Sequence, residues 1–297
     1  MRAFPPPGRL VDIGGRRLHL QESGAGSPVV VLEAGIAATS LSWRTIQEQI
    51  AGFTRVVSYD RSGLGWSDPA VSRLTLAGLA GDLRALLTAA ALPPPYILVA
   101  HSFGAFVVRA YSERYPEEIA GLVLVDPLLP EEWHPMTQAR ARTLDRGIRL
   151  SRRGAFLART GLVGWCLQSL LGGARWLPKA IGGAASGRGL SVMKRLAGEV
   201  GKMPPEVWPM VAAHWSNPKS FLGMAAHFES LPEAAAELYA ARPLAGIPVV
   251  ALTSGRKEAT GLERYAANLR HVIAQKSGHW IHLDEPELVV AAVRGLL

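Results

Sequence analysis

The hydrophobic pattern of the 297-residue chain changes period several times, and each change marks an element. Arg9-Leu10-Val11-Asp12-Ile13 and Arg17-Leu18-His19-Leu20-Gln21 alternate with a period of two around Gly14-Gly15, which predicts a β-hairpin. Short, mainly apolar strand-like runs then recur at Pro28–Leu32, Arg55–Tyr59, Tyr96–Ala100, Gly121–Val125 and Pro248–Thr253, with a further short one at His271–Gln275. Runs of that length suit strands buried on both faces. Helical periodicity fills the intervals. One helix starts at a Thr39 or Ser40 cap and runs to Gly52. Another spans Thr75–Ala91 and is closed by Pro93-Pro94-Pro95; a third ends at Tyr115 before Pro116. Leu262–Leu269 and Glu285–Leu297 read as the last two helices, with Asp284 as the N-cap of the final one. Strands alternating with helices predict an α/β fold: a doubly wound, mainly parallel sheet with an N-terminal hairpin.

The rhythm breaks at Asp126-Pro127. From there to Ala235 only helical stretches appear: Arg140–Arg153, Leu162–Leu171, Val192–Val200, Pro205–Trp215 and Lys219–Leu231. The simplest reading is a helical cap, residues 127–235, inserted into a core made of residues 1–126 and 236–297. No internal repeat or low-complexity tract is present, and the Pro/Gly clusters read as turns.

Composition sharpens this picture at three points. Apolar residues make up 48% and charged residues 19%, enough for a large core and too little charge for wholesale disorder. The single cysteine, Cys166, excludes an intrachain disulfide framework and a cysteine-based metal site. The first residues lack an apolar signal region, and no run of uncharged apolar residues is long enough to span a bilayer, so a cytoplasmic location is expected. The net charge of +8 is concentrated: 14 of the 32 Lys and Arg residues, against 7 acidic ones, fall between Pro127 and Ala235. That basic segment reads first as a solvated helical face, with weak contact to an anionic membrane surface as the alternative, centred on Gly161–Leu171. No nucleic-acid partner is expected.

The candidate chemistry centres on Ala100-His101-Ser102-Phe103-Gly104, where an apolar strand ends in a serine flanked by small residues and a helix follows. This is the strand–turn–helix context of a nucleophile elbow, in which small flanks relieve a crowded turn. The backbone N–H of Phe103 then lies at a helix N-terminus and can hold an oxyanion. Serine needs a base, and His279 in Lys276-Ser277-Gly278-His279-Trp280 follows the last predicted strand, at the same sheet edge as Ser102. Gly278 beside it is expected to adopt an unusual backbone angle. The acid that orients the histidine has two candidates: Asp126, at the end of the strand after the elbow helix, and Glu258, after the Val249–Thr253 run. Asp126 is favoured for its short side chain and strand-end position. The second oxyanion donor is expected from the loop Glu33 to Trp43, through the Ile36 N–H, with Gly35 turning the backbone inward. Asp60 is read as structural.

These motifs together resemble the α/β-hydrolase family with a cap. Gly35 to Trp43 is similar to the oxyanion loop HG-x-x-x-S-x-x-x-W, with Ala34 in place of the histidine; Asp60 to Ser67 is similar to the D-x-x-G-x-G-x-S turn. Ala100 to Gly104 resembles the elbow, and Ser277-Gly278-His279-Trp280 followed by Glu285-Pro286 resembles the family's ending. The resemblance implies a serine hydrolase of carboxylic esters with an apolar moiety, needing neither metal nor organic cofactor. It leaves open amidase, thioesterase, acyltransferase or carbon–carbon bond hydrolase chemistry, and a binding protein that has lost turnover. Gly35, Trp43, His101 and Trp280 are expected to line the substrate cleft. The cap aromatics, among them Trp133, Phe156, Trp165, Trp176, Trp208, Trp215, Phe221 and Phe228, are expected mainly to pack and in part to roof the cleft.

Overall fold

Continuous apolar runs become strands because both faces of the sheet are covered. In the computed structural model, which describes residues 4–165, 199–255 and 260–297, strands β1 (Arg9–Asp12) and β2 (Arg17–Ser23) form the hairpin. Strands β3 (Val29–Glu33), β4 (Val56–Tyr59), β5 (Tyr96–His101), β6 (Ile119–Val125), β7 (Val249–Ser254) and β8 (Leu269–Ala274) complete one sheet. Its order is β1-β2-β4-β3-β5-β6-β7-β8, antiparallel from β1 to β4 and parallel from β4 onward. Successive residues of β3 feed opposite layers: Val29 and Val31 pack under helices α2 (Leu76–Ala89) and α3 (Gly104–Arg114), while Val30 and Leu32 face α1 (Arg44–Ala51). This is the two-layer burial that the apolar runs require.

The chain steps from β3 outward to β4, then returns past β3 to β5, so strand order reverses between β3 and β5. Their carboxyl ends lie side by side, with Glu33 in register with Ala100. A doubly wound sheet opens a crevice at such a point.

Several predicted boundaries shift for identifiable reasons. Thr39 precedes a 3-10 turn, Ser40–Trp43, before α1 begins, and its side chain makes no cap bond. Thr75 does cap α2, its hydroxyl accepting the Gly78 N–H at 3.1 Å. The helix predicted over Leu262–Leu269 is one 3-10 turn, Leu262–Arg264, and strand β8 already starts at Leu269, drawn into parallel pairing with β7. A short helix α7 (Ile281–Asp284) precedes the last one, α8 (Pro286–Arg294), so Asp284 ends one helix instead of capping the next.

Between β6 and β7 the described residues contain no strand. Helix α4 (Gln138–Arg159) lies against α6 (Pro218–Ala240), with α5 (Trp208–Trp215) leading into it. Small residues permit the close approach: a Cβ on Gly154 of α4 would stand 2.6 Å from the Phe221 ring. Helix α6 runs nine residues beyond its predicted end at Leu231, through Pro232. Leu231, Ala234, Ala235 and Leu238 continue its apolar face onto the core. The predicted helices Leu162–Leu171 and Val192–Val200 fall largely outside the described residues, as do Leu170, Leu171 and Trp176. No helix among the described residues is long and apolar enough to cross a membrane.

Candidate active site

Ser102 sits directly after β5 with φ 53°. Its backbone is held on both sides: its N–H donates to Val125 O at 3.1 Å, and its carbonyl accepts from Ala105 and Leu128, each at 3.1 Å. Non-glycine residues seldom adopt that region, and such strain persists only where the surroundings enforce it. Three of the four non-glycine residues with positive φ among the described residues are Ala37, Ser102 and Asp126, all at this end of the sheet. Gly104 is required by contact: a Cβ there would stand 2.8 Å from Glu33 O and 2.9 Å from Ala34 O.

Asp126 follows β6 with φ 43°, its N–H donating to Leu252 O at 2.7 Å. Its carboxylate is nearly buried and is divided between two donors. Oδ2 lies 2.6 Å from His279 Nδ1, and Oδ1 accepts the Ser254 N–H at 3.2 Å. With Nδ1–H directed at a carboxylate, Nε2 is left as the basic nitrogen. The alternative acid, Glu258, lies outside the described residues.

The loop carrying His279 is pinned by two carboxylates that the sequence reading assigned otherwise. Glu285 Oε2 accepts the Lys276 N–H at 2.9 Å and the Ser277 hydroxyl at 2.6 Å, and Asp284 Oδ2 accepts the Gly278 N–H at 3.0 Å. Gly278 therefore contributes a donated N–H; it is not among the residues with positive φ. His101 is buried, and its Nε2 donates to the His279 carbonyl at 2.9 Å with the two rings 4.6 Å apart. It supports the histidine loop from below.

The residues expected to form the oxyanion loop approach Ser102 closely. A Cβ on Gly35 would meet His101 Nδ1 at 2.9 Å and Ser102 Cβ at 3.4 Å, so Gly35 is small for lack of space, its φ being ordinary. Ile36 is half-buried beside it. Phe103 is fully buried at the N-terminus of α3. Trp43, read from sequence as a cleft residue, is wholly buried with its ring 4.4 Å from that of His282; it belongs to the layer beneath the loop. Trp280 is half-buried and, with Ala37, Ala38, Met203, Val211 and Trp215, lines an apolar cavity of about 30 Å³. Trp208 and Phe228 pack as expected, whereas Phe156 and Trp165 are exposed.

A family model described as the alpha/beta hydrolase fold matches residues 28–156. The chain has the α/β-hydrolase fold. It is similar to the protein YqjL of Bacillus subtilis (strain 168), 33% identical over 136 residues that make up 42% of this chain and 54% of that protein. The chain thus spans about half the length of that relative. Among solved structures it resembles a thermophilic esterase from Thermogutta terrifontis, with a TM-score of 0.63 and 21% identity over 94% of this chain and 92% of that one. It also resembles Cfl2 from Burkholderia cenocepacia, with a TM-score of 0.72 and 20% identity over 97% and 94% of the two chains.

Within this α/β-hydrolase fold, the loop after β3 rests on a buried cation that sequence reading missed. The Arg61 guanidinium donates through Nη1 to Glu33 Oε1 and to Ala34 O, and through Nη2 to Gly35 O at 2.6 Å. Tyr59 donates its hydroxyl to the other Glu33 oxygen. Burial raises the Glu33 carboxyl, while Arg61 and Tyr59 pull it back. The only sequence signal was a glutamate ending the run Val29-Val30-Val31-Leu32-Glu33, since an unpaired carboxylate cannot be buried there. Asp60, next to Arg61, has the structural role expected of it. It accepts the N–H groups of Ser40 at 2.8 Å and Trp66 at 3.0 Å, and bonds His19 Nδ1 at 2.9 Å. Burial pushes its carboxyl up, but these partners bring it down to about 2.

Proposed function

We propose that this chain is a serine hydrolase that cleaves carboxylic esters through an acyl-enzyme, with the segment 127–235 acting as a cap. The observation that carries the reading is the Asp126–His279 hydrogen bond of 2.6 Å at the sheet edge where Ser102 is held at positive φ. The Ser102 Oγ attacks the ester carbonyl while His279 Nε2 takes its proton. Asp126 keeps the Nδ1–H tautomer and stabilises the imidazolium. The N–H groups of Ile36 and Phe103 hold the oxyanion. The tetrahedral intermediate collapses as His279 gives its proton to the leaving alcohol, which departs. His279 then draws a proton from water, whose oxygen attacks the acyl carbon, and collapse releases the acid and restores Ser102. No hydrogen bond joins Ser102 Oγ to His279 in the free protein; such contacts commonly tighten only with substrate bound.

The apolar side chains of Met203, Val211, Trp215 and Trp280 gathered beside Ala37 support a substrate with an apolar moiety. The test is release of p-nitrophenol from p-nitrophenyl esters of graded acyl length, with fluorophosphonate labelling of the same preparation. Labelling at Ser102 and loss of both signals in Ser102→Ala are expected. Undiminished turnover in Ser102→Ala rejects the reading.

A further inference from the structure

Helix α6 sits on the turn that carries Arg61. Lys219, Gly223 and His227, spaced four apart, share one face of the helix. Lys219 Nζ donates to Gly65 O at 2.9 Å and Ser67 O at 2.6 Å. Gly223 lies so close to Gly63 that a Cβ on it would stand 2.7 Å from Gly63 O. His227, fully buried, reaches deeper: its Nε2 accepts the Arg61 Nε–H at 2.9 Å, and its Nδ1–H donates to Gly223 O at 2.7 Å. Burial and the neighbouring Arg61 charge hold this imidazole neutral, at about 3, so the acceptor lone pair persists across the working pH range.

Arg61 passes that constraint to the oxyanion loop. Its Nη2 holds Gly35 O, and Gly35 C=O shares one planar trans peptide unit with the Ile36 N–H. Fixing the carbonyl therefore fixes the direction of the N–H on the opposite edge. The other donor is clamped from the same side. The His227 ring meets the Phe103 ring edge-on at 5.6 Å, and the Arg61 guanidinium lies 5.6 Å from the Phe103 ring centroid.

We propose that His227 is a positioning residue through which the docked cap helix aims both oxyanion donors, a role separate from seating the helix. It acts through Arg61 and Phe103 and touches no substrate. The proposal rests on the serine-hydrolase reading. Lys219 seats the same helix without touching Arg61, which separates loss of seating from loss of aim.

The experiment compares His227→Leu, His227→Gln and Lys219→Ala by steady-state and burst kinetics on p-nitrophenyl esters, after fluorophosphonate titration of active sites. Removing an oxyanion donor outright costs about 10²–10³ in kcat, and a misaimed one is expected to cost about tenfold or more. His227→Leu should thus lose kcat with KM little changed. His227→Gln, whose amide oxygen can accept from Arg61 Nε, should restore most of it. Lys219→Ala should lower the melting temperature or raise KM while sparing kcat. A labelled, folded His227→Leu with wild-type kcat overturns the proposal. So does a Lys219→Ala variant that loses kcat as His227→Leu does, since the effect is then seating alone. If His227→Leu does not fold, a folded His227→Gln that is as slow as Arg61→Lys overturns it equally. An unlabelled, inactive wild type overturns the serine-hydrolase reading and the proposal with it.

Discussion

Replacing Asp126 by asparagine removes one charge and leaves the shape of the site. Asparagine tolerates the left-handed backbone that Asp126 adopts at φ 43°, so the strand end should keep its course. The two donors facing the carboxylate then decide which way the amide turns. Ser254 N–H, 3.2 Å from Oδ1, can only donate, so the amide oxygen must face it. The amide NH₂ is left toward His279 Nδ1, where the present contact is 2.6 Å. Two donors cannot share that gap, and Nδ1 has to become the acceptor. The ring proton moves to Nε2, the nitrogen that must accept from Ser102. The expected loss is the wrong-tautomer penalty of about 10⁴ in kcat, roughly 5 kcal/mol of barrier. KM should change little, because the ground-state cleft is untouched. The assay is burst-phase p-nitrophenol release, normalised to folded protein by near-ultraviolet circular dichroism, with Glu258→Gln measured in parallel. A residual kcat within about tenfold of wild type refutes the tautomer argument. Loss of activity confined to Glu258→Gln transfers the acid role to that residue.

Two further outcomes follow from burial. His214, His227 and His282 are brought down to about 4, 3 and 3 chiefly by desolvation, so each stays neutral in the folded chain while an unfolded histidine takes up a proton below about 6.5. The folded state therefore loses about 1.4 kcal/mol per histidine per pH unit as pH falls from about 6.5 toward the folded values. Melting temperature should fall steeply between pH 6 and pH 4.5, and His282→Phe, whose native ring has both nitrogens unbonded, should flatten that slope by about a third. An unchanged slope in that variant contradicts the assignment. On the outer face of α4, Arg146, Arg149 and Arg153 are interleaved with exposed Leu150, Phe156 and Leu157, a pattern suited to an anionic lipid surface. The protein should co-sediment with phosphatidylserine-containing vesicles at low salt and not with phosphatidylcholine alone; Arg146→Glu with Arg149→Glu should abolish this, and binding indifferent to those changes disproves it.

What was legible in the sequence and what was not divides by distance along the chain. The buried strands announced themselves because an apolar run reports on its own surroundings. Ser102 was legible for the same reason: the small residues that its crowded turn demands are its immediate neighbours, Ala100 and Gly104. His279 and Asp126 were legible as strand-end residues, though 153 positions separate them and only the parallel pairing of β6, β7 and β8 brings their chain segments to one edge. Where a local rule competed with tertiary pairing, the local reading gave way. Leu269 scanned as the end of a helix, yet its backbone pairs with Val249. Gly278 scanned as a residue needing an unusual backbone angle, yet its φ is ordinary and its N–H serves as a donor.

The residues that organise the loop after β3 left almost no local trace, and physical chemistry explains the gap. Arg61 and His227 lie 166 positions apart, and neither has a spacing rule that points to the other. A histidine on a helix face scans as ordinary surface or core. What made the pair necessary is Glu33, a carboxylate at the end of an otherwise apolar strand that cannot remain charged in the core without a cation. Once Arg61 answers that need, its remaining N–H groups are buried and need acceptors. Two are met by backbone carbonyls of the loop after β3 and one by the histidine of α6. The link between helix and loop therefore grows out of polar groups that had to be satisfied, starting from one buried glutamate. That order of cause makes Glu33, a carboxylate at the end of an apolar strand, the origin of the geometry at Ile36.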